Sequence, residues 1–452
     1  MQRVSKHIAN IALLSFFTLI LFSGPLVWVQ FILLKQVIIG PVWIKGCLAI
    51  LLMLAGGFLL KYFSIKKQKQ SLLIQFAFLV FYSFIVLMVL SVPNVGVFSS
   101  IQAFLYNYSL FLFVVPLLIL VTKNDFQLEN NHLLIIVFGF IGFILLSAIL
   151  SILQFIFTDI WLSSITVYSH FPDAWAFLAQ YFPQVKFDQI NGLYRSQGFF
   201  RSPVESGIVC ILAFLISVEW MLLKKHYPWY AVVAATIIFI AILFTVSRTV
   251  YLMMLVSLAS LLYFHANGKI VSQLFEFMKQ NWRYSVAIVI FGFIFSDSVL
   301  KVFDSTNLLI RFQNWGLLLD PDGIDLSSLL FGMGRVQNGD FGSFHSLVID
   351  NSYIALFYSS GLVGLLLWLA FIKNWIRYSS VNIFNVNFGS KVFISFVFGF
   401  LVGAITENLL HYLFYIAFAY VVVLAFQNYI TRPSCMPFNS VQRSLRVGTR
   451  ES

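Results

Sequence analysis

Long apolar runs separated by short polar segments make up most of this chain. A membrane-spanning helix needs about 20 predominantly apolar residues, within a range of about 17–25. The runs predict twelve such helices, near residues 9–34, 42–61, 71–92, 101–121, 133–156, 204–223, 229–246, 249–265, 284–300, 351–372, 392–406 and 409–428. A β-barrel would instead show alternating segments of about ten residues. The pattern therefore predicts an all-α, polytopic helical membrane protein.

Two connections between the predicted spans are much longer than the others, at about 157–203 and 301–350. Long connections between packed elements are uncommon, and they are usually functional. Residues 1–431 are predicted to form a single transmembrane domain, and the polar residues 432–452 to form a tail. No internal repeat is evident, which disfavours a transporter built from inverted repeats.

Composition excludes the soluble classes. Sixty per cent of the residues are hydrophobic, 10% are charged and the mean hydropathy is +0.92. Soluble domains carry about 25% charged residues, and disordered chains have low hydrophobicity. The net charge of +11 would point to nucleic acid in a soluble protein. Here it is better explained by basic cytoplasmic loops, so no nucleic-acid partner is predicted.

The distribution of basic residues predicts the orientation in the membrane. Placing both termini and alternate loops such as KYFSIKKQKQ (61–70) in the cytoplasm puts most Lys and Arg inside. This is the positive-inside asymmetry. Both long loops then face outward, on the side of the membrane away from the cytoplasm. Arg3 and Lys6 precede the first span without a small-residue cleavage site, so that span is expected to stay uncleaved.

Metal and disulfide chemistry have little support. Cys47, Cys210 and Cys435 are far apart and fit no metal or disulfide framework. Glu407 and His411 are spaced i, i+4, which would put them on one helix face. Without a third ligand nearby, a structural pair is favoured over a metal site. No metal and no cofactor are predicted.

The segment YRSQGFFRSPVESG (194–207) carries two arginines on the side of the membrane that is otherwise poor in cations. Arg195 and Arg201 precede Pro203, which suits a first helical turn, and Glu205, which the helix dipole favours there. One hypothesis is a cationic site for a phosphate-bearing ligand, because the guanidinium fork matches phosphate oxygens. The alternative is an Arg–Glu pair that anchors the end of the helix.

Two further arginines lie beside apolar runs. Arg248, in FTVSRTVYLMM (244–254), sits in a very short connection that needs no arginine, so a functional role is favoured over a snorkelling anchor. Arg311, in LIRFQNWGLLLDPDG (309–323), begins an amphipathic stretch in the second long loop. A ligand-binding residue and a loop helix on the membrane surface are equally compatible with Arg311.

The segment FHSLVIDNSYIALFYSSGLVG (344–364) begins another span. Asp350-Asn351 could cap the helix, contribute to catalysis, or do both. Gly361 and Gly364 are expected on one helix face, where they would allow close helix packing. His345 lies five residues upstream of Asp350, and an ordinary loop histidine is the favoured interpretation.

Together these segments resemble the O-antigen polymerase and O-antigen ligase superfamily of bacterial envelope glycosyltransferases. The ligase motif is His-[Asn/Ser/Gln]-x9-Gly-x-x-Gly, and this chain reads Asp350-Asn351-x9-Gly361-x-x-Gly364, with the spacing kept and the histidine replaced. SRTVYL (247–252) and RSQGFFRSP (195–203) also resemble the arginine-bearing segments of that superfamily. The replacement of His by Asp is more similar to the polymerase branch than to the ligases.

The resemblance implies a polymerase in the bacterial inner membrane, with a periplasmic active site. It would join undecaprenyl-diphosphate-linked oligosaccharide repeat units into O-antigen or a related surface polysaccharide. Its expected partners are that lipid-linked substrate, the bilayer, and a chain-length regulator and a flippase. Residue chemistry suggests Arg195, Arg201, Arg248 and Arg311 as diphosphate ligands. Asp350 is the first candidate for the base, with His345 and Glu407 behind it.

Three alternatives stay open. A ligase would transfer the finished glycan to lipid A core with the same chemistry. A lipid-glycan flippase or other transporter would place charged residues in a central cavity at mid-span depth. A protein-glycosylating transferase is compatible with every feature above.

Overall fold

The computed structural model describes most of the chain between residues 67 and 430. The described residues are 67–97, 130–158, 193–200, 202–223, 229–265, 326–332, 351–383, 389–406 and 414–430, with shorter pieces and single positions at 11, 14, 15, 17, 18, 21, 101, 189–190, 313, 343–344, 347–348 and 409. The spans predicted near 9–34, 42–61, 101–121 and 284–300 lie outside these residues or meet them only at isolated positions. The predicted tail, 432–452, also lies outside them.

Helices account for nearly all of the described chain. In order they are α1 Lys67–Val95, α2 Asn130–Ile156, α3 Pro203–Leu223, α4 Trp229–Phe244, α5 Arg248–His265, α6 Leu326–Phe331, α7 Ser352–Ile383, α8 Gly389–Gly403 and α9 Phe414–Ile430. Two antiparallel hairpins with two-residue strands lie in the two long connections: β1 Gln189–Ile190 with β2 Leu193–Tyr194, and β3 Ser343–Phe344 with β4 Leu347–Val348. The predicted all-α, helical membrane fold is confirmed for the described residues, apart from these small hairpins.

Five of the helices are long and apolar enough to cross a membrane. The qualifying stretches are Ser71–Leu90, Ile136–Ile156, Pro203–Leu222, Arg248–His265 and Ser352–Arg377, and shorter apolar stretches lie in α4, α8 and α9. Large apolar side chains are exposed on the outside of the bundle, including Phe81 at 62% and Leu146 at 62%. Apolar side chains that face outward in this number fit contact with lipid. The described helices indicate a membrane-embedded protein, and the number twelve stays a prediction.

Most helix boundaries lie within about four residues of those expected from hydropathy, and the largest differences are in α7 and α9. α7 continues to Ile383, past the expected end at 372, and α9 begins at Phe414 rather than at 409. Lys373 and Arg377 are exposed on the extension of α7. Hydropathy ends a span at the first charge, whereas a helix continues as long as its backbone hydrogen bonds are made. The polar end of α7 was missed for that reason.

Close packing of α5 against α8 depends on two glycines spaced four residues apart. A Cβ atom added to Gly399 would collide with the Ser257 side chain and lie 2.6 Å from the Met253 carbonyl oxygen. A Cβ atom on Gly403 would collide with Met253 in the same way. Small residues at this spacing let helix backbones approach closely inside a membrane, where packing drives association.

α7 is broken at Gly361. This glycine has φ 67 and ψ −173, which is not helical. A Cβ atom there would collide with the Leu330 carbonyl group, because the short helix α6 packs directly against the break. The Tyr82 hydroxyl on α1 donates to the Ser360 carbonyl oxygen at 3.0 Å. The expectation that Gly361 and Gly364 share one face of a continuous helix is therefore wrong, although Gly361 does permit close packing.

A buried polar cluster ties α3, α5 and α8 together at the end of the bundle where α3 and α5 finish. Glu219 on α3 is fully buried, and its Oε2 is hydrogen-bonded to Nε2 of His265, the last residue of α5. Nζ of Lys391, near the start of α8, lies 3.4 Å from Nδ1 of His265. An imidazole nitrogen can donate to a carboxylate or accept from an ammonium group, according to its tautomer. The cluster connects a carboxylate to an ammonium through one ring.

Gly399→Ala is expected to destabilise the protein, because the new methyl group meets the Met253 backbone, which cannot rotate away. Overpacking of this kind costs about 1–3 kcal/mol. Thermal unfolding of the detergent-solubilised protein measures the loss. Gly142→Ala is the matched control: this α2 glycine has nothing within 4 Å of an added Cβ, so the change should leave the melting temperature unchanged or raise it. Equal melting temperatures for the two variants would contradict the packing role.

His265→Ala is expected to lower the free energy of unfolding by about 3–5 kcal/mol, because it leaves Glu219 buried without its partner. Replacing both residues by leucine should cost less than the single change, since no buried carboxylate then remains. Thermal unfolding of the two variants beside the wild type gives the comparison. A double variant no more stable than His265→Ala would show that the pair is not coupled.

Candidate functional site

The connection that carries Arg248 is a tight, strained turn. α4 ends at Phe244 and α5 begins at Arg248. The N–H groups of Thr245 and Val246 fold back onto carbonyl oxygens of the last turn of α4, each at 3.2 Å. Val246 has φ 48, a left-handed conformation that is a clear outlier for a β-branched residue. Such strain costs about 1–3 kcal/mol and concentrates at functional sites, which marks this turn as a candidate.

Arg195 lies against the same turn. Its Nε donates to the Thr245 carbonyl oxygen at 3.4 Å, across fifty residues of sequence. Arg195 and Arg248 are both partly exposed, whereas Thr245, Val246 and Ser247 between them are buried. The structure therefore brings together two of the arginines that the sequence suggested as diphosphate ligands. This end of the bundle, with Arg195, Glu205, Arg248 and Asn351, is called the arginine end below.

The residues after Arg195 are buried between α2 and α4. The N–H and the hydroxyl of Ser196 both donate to the Phe244 carbonyl oxygen, at 3.0 and 2.8 Å. The Ser196 hydroxyl also lies 2.6 Å from the Ser151 hydroxyl on α2. The rings of Phe155 and Phe244 stack at 4.1 Å beside these bonds. The segment that carries Arg195 is thus fixed to two helices.

Pro203 and Glu205 occupy the first turn of α3, as predicted. The Ser202 hydroxyl accepts from the Glu205 N–H at 3.1 Å, so Ser202 caps the helix. The Glu205 carboxylate is buried and accepts a hydrogen bond from the Tyr415 hydroxyl on α9 at 2.5 Å. Glu205 therefore links α3 to α9 at the arginine end.

Asn351 is the N-cap of α7. Its Oδ1 accepts from the N–H groups of Tyr353 and Ile354, at 2.9 and 3.1 Å. The capping interpretation of Asn351 is confirmed. Next to it, the Ser352 N–H donates to the Ala404 carbonyl oxygen at 2.9 Å.

Hydrogen bonds connect this cap to the start of α5. In the turn after α8, the Ala404 carbonyl oxygen accepts from the Ser352 N–H. In the same turn, the Thr406 hydroxyl lies 3.0 Å from the Thr249 hydroxyl. Thr249 directly follows Arg248 in the chain. The starts of α5 and α7 are therefore joined at the arginine end, with Arg248 at one and Asn351 at the other.

Five of the residues suggested by the sequence lie outside the described residues: Arg201, Arg311, His345, Asp350 and Glu407. Their roles stay predictions. Within the described ranges, no group of three or more His, Cys, Asp or Glu side chains is close enough to hold one metal ion.

Two features of the structure were missed by sequence reasoning. One is the polar stripe on α2 formed by Ser147, Ser151 and Gln154, whose i, i+4, i+7 spacing inside an apolar run was a readable signal. The other is the Glu219–His265 pair, which joins residues 46 apart in sequence. Glu219 lies inside the apolar run 204–223, and a charged residue in such a run indicates a buried partner. The sequence does not show which residue that partner is.

The fold and the site define a membrane-embedded helical protein that gathers guanidinium groups at one end of its bundle. No protein-family model and no curated protein matches the chain. The arrangement of side chains at the arginine end is therefore the basis for the functional proposal.

Proposed function

We propose that the protein is a polysaccharide polymerase that joins lipid-diphosphate-linked oligosaccharide repeat units. The observation that carries the proposal is that Arg195 donates to the α4–α5 turn, which leads directly into α5 at Arg248. Two guanidinium groups at the end of an apolar bundle suit a ligand with a diphosphate and a lipid chain. The chain would lie along the apolar helices, while the diphosphate would stay at the arginine end.

Arginine suits this ligand for physical reasons. Guanidinium groups present a rigid fork of donors that matches phosphate oxygens, and they stay charged at every relevant pH. Their hydrogen bonds to phosphate are charge-assisted, which makes them shorter and stronger than neutral ones. The segment carrying Arg195 and the turn carrying Arg248 are both buried and hydrogen-bonded, so the two groups are held in place before a ligand arrives.

The reaction moves negative charge onto the diphosphate. An acceptor sugar hydroxyl attacks the anomeric carbon of the donor, the bond from that carbon to the diphosphate oxygen breaks, and the diphosphate leaves with the electron pair. Preorganised cations aimed at developing charge are usually the largest contribution to catalysis. In this proposal Arg195 and Arg248 supply that stabilisation, with Arg201 and Arg311 as further ligands.

The hydroxyl proton needs a base. Asp350 is the proposed acceptor, with His345 or Glu407 as substitutes, and a well-placed base contributes about 10²–10⁴-fold. Support for Asp350 comes from its neighbour Asn351, which caps α7 at the arginine end. The proposed setting is the bacterial inner membrane with the arginine end on the periplasmic side. A flippase would deliver the substrate, and a chain-length regulator would set polymer length.

Two other functions are distinguished from this one by observation or experiment. A ligase would use the same diphosphate chemistry with lipid A core as acceptor. A transporter would place ionisable groups near mid-span, whereas Glu219 lies four residues from the end of α3 and the arginines lie at the other end. The polymerase is therefore proposed ahead of the transporter, and a gel separates it from the ligase.

Arg248→Ala is expected to abolish polymer in a deletion strain complemented with the variant. Losing one charged donor to the leaving group should lower the rate by about 10²-fold or more, by analogy with loss of an oxyanion-hole donor. The measurement is a gel of surface polysaccharide from cells in which immunoblotting shows normal protein levels. Long polymer retained in a well-expressed Arg248→Ala strain would contradict the proposed role.

Arg377→Ala is the matched control for this experiment. Arg377 is an exposed arginine on the polar extension of α7, away from the arginine end, and its removal should leave the polymer ladder intact. The deletion strain itself separates the alternatives: core with a single repeat unit indicates a polymerase, whereas bare core indicates a ligase.

A further inference from the structure

The polar stripe on α2 needs a partner because it lies inside an otherwise apolar helix. Ser147, Ser151 and Gln154 are each 0–1% exposed. Their spacing of four and then three residues puts them on one face, along about 10 Å of helix axis. A buried polar side chain without a hydrogen bond costs about 1–3 kcal/mol. The face is therefore expected to bind other polar groups, and the structure shows which ones.

Each member of the stripe binds the segment that follows Arg195. Gln154 makes the largest contribution, because its Oε1 accepts from the N–H groups of Gln197 and Gly198, at 3.2 and 2.9 Å. Its Nε2 donates to the Gly198 carbonyl oxygen at 3.2 Å. About two turns before Gln154 on α2, the Ser147 hydroxyl accepts from the Phe199 N–H at 3.1 Å. The stripe thus replaces the solvent that these backbone groups would otherwise need.

The fit between the segment and the helix is close enough to fix the register. Gly198 has φ +59, and a Cβ atom there would lie 2.6 Å from the Ser147 carbonyl oxygen and collide with its hydroxyl. The backbone at Gly198 therefore touches α2 directly. Backbone polar groups inside a membrane protein require internal partners, and Gln154 supplies three of these hydrogen bonds with one side chain.

This attachment determines where Arg195 can be. Ser196 is bonded to the end of α4, Gln197 and Gly198 are bonded to Gln154, and the Arg195 Nε is bonded to the α4–α5 turn. A flexible segment would lose conformational freedom on binding a ligand, whereas a segment already fixed avoids that cost. Misplacement of a binding group by about 1 Å can cost about 10²-fold in rate.

We infer that Gln154 is a positioning residue for Arg195: it holds the 196–199 segment so that the guanidinium group meets a lipid diphosphate. The inference rests on the proposed function, which supplies the ligand class. The inference adds Gln154 to the proposed site. This residue lies on α2, 41 positions before Arg195 in the chain, and it acts only through Arg195. Loss of Gln154 should therefore have no further effect once Arg195 is gone.

A double-mutant cycle with farnesyl diphosphate as the probe tests this. Purified Gln154→Leu, Arg195→Ala and the double variant are titrated beside the wild type, and melting temperatures are recorded for all four. Arg195→Ala should weaken binding by about tenfold or more, as expected for loss of a charged hydrogen bond. Gln154→Leu should weaken it by a comparable factor, and the double variant should bind within about twofold of Arg195→Ala.

Thr236→Val is the matched control, because the Thr236 hydroxyl on α4 bonds only to Val232 of its own helix in the described structure. It should bind farnesyl diphosphate as the wild type does. Ser147→Ala serves as a second variant should Gln154→Leu fail to fold. It removes a single hydrogen bond from the same segment, so it should weaken binding less than Arg195→Ala and have no effect in the Arg195→Ala background.

The outcomes separate the inference from the function beneath it. Suppose that Arg195→Ala weakens binding and that Gln154→Leu or Ser147→Ala weakens it by its full factor again in the Arg195→Ala background. The positioning role is then overturned and the proposed function stands. If the wild type binds the probe no better than Arg195→Ala does, the proposed function fails. The positioning role is supported if Gln154→Leu weakens binding by itself, has no further effect in the Arg195→Ala background, and leaves the melting temperature unchanged.

Discussion

The need to satisfy polar groups inside an apolar bundle governs the arginine end of this protein. Water is absent from the interior of a membrane, so backbone N–H and carbonyl groups outside regular helices must find partners within the chain. The 196–199 segment finds them on the stripe of α2 and on the end of α4. The break in α7 finds one in the Tyr82 hydroxyl. In both of these described segments, non-helical backbone groups bond to another element.

The same requirement explains why the arginine end is rigid. Two of the helices that begin here are capped locally, α7 by Asn351 and α3 by Ser202. A long-range bond adds to these caps, because Tyr415 on α9 donates to Glu205 on α3 across 210 residues of sequence. A cationic site built on such a framework loses little freedom when a charged ligand binds, which is the physical basis of preorganised electrostatic stabilisation.

Hydropathy was sufficient to locate the long described helices and to indicate their membrane character, but it did not predict the short helix α6. Lipid and the protein core both favour apolar side chains, so a run of about 20 such residues is informative without tertiary knowledge. Local chemistry was also sufficient at Pro203 and Asn351, because a cap depends on the neighbouring backbone alone. The sequence suggested Arg195 and Arg248 as members of one site, but only the fold revealed that the α4–α5 turn joins them.

Long-range pairings were beyond sequence reasoning because their partners are set by packing. Gly361 fitted a helical spacing, yet the approach of α6 favours a left-handed break there. Gln154 is a polar residue near the end of the apolar run 133–156, and its backbone partners lie 43 and 44 residues away.

The two ends of the bundle use charge in different ways, and the difference bears on function. At the Glu219 end, an imidazole joins one oxygen of a buried carboxylate to an ammonium group. At the arginine end, Arg195 donates to the turn that leads into α5 at Arg248, and the buried carboxylate of Glu205 accepts from Tyr415. Like charges at one end of a bundle repel each other, and a bound anion lowers that repulsion. Under the proposed function, guanidinium groups at the end of an apolar bundle suit an anionic ligand with an apolar tail, and a lipid diphosphate combines both properties.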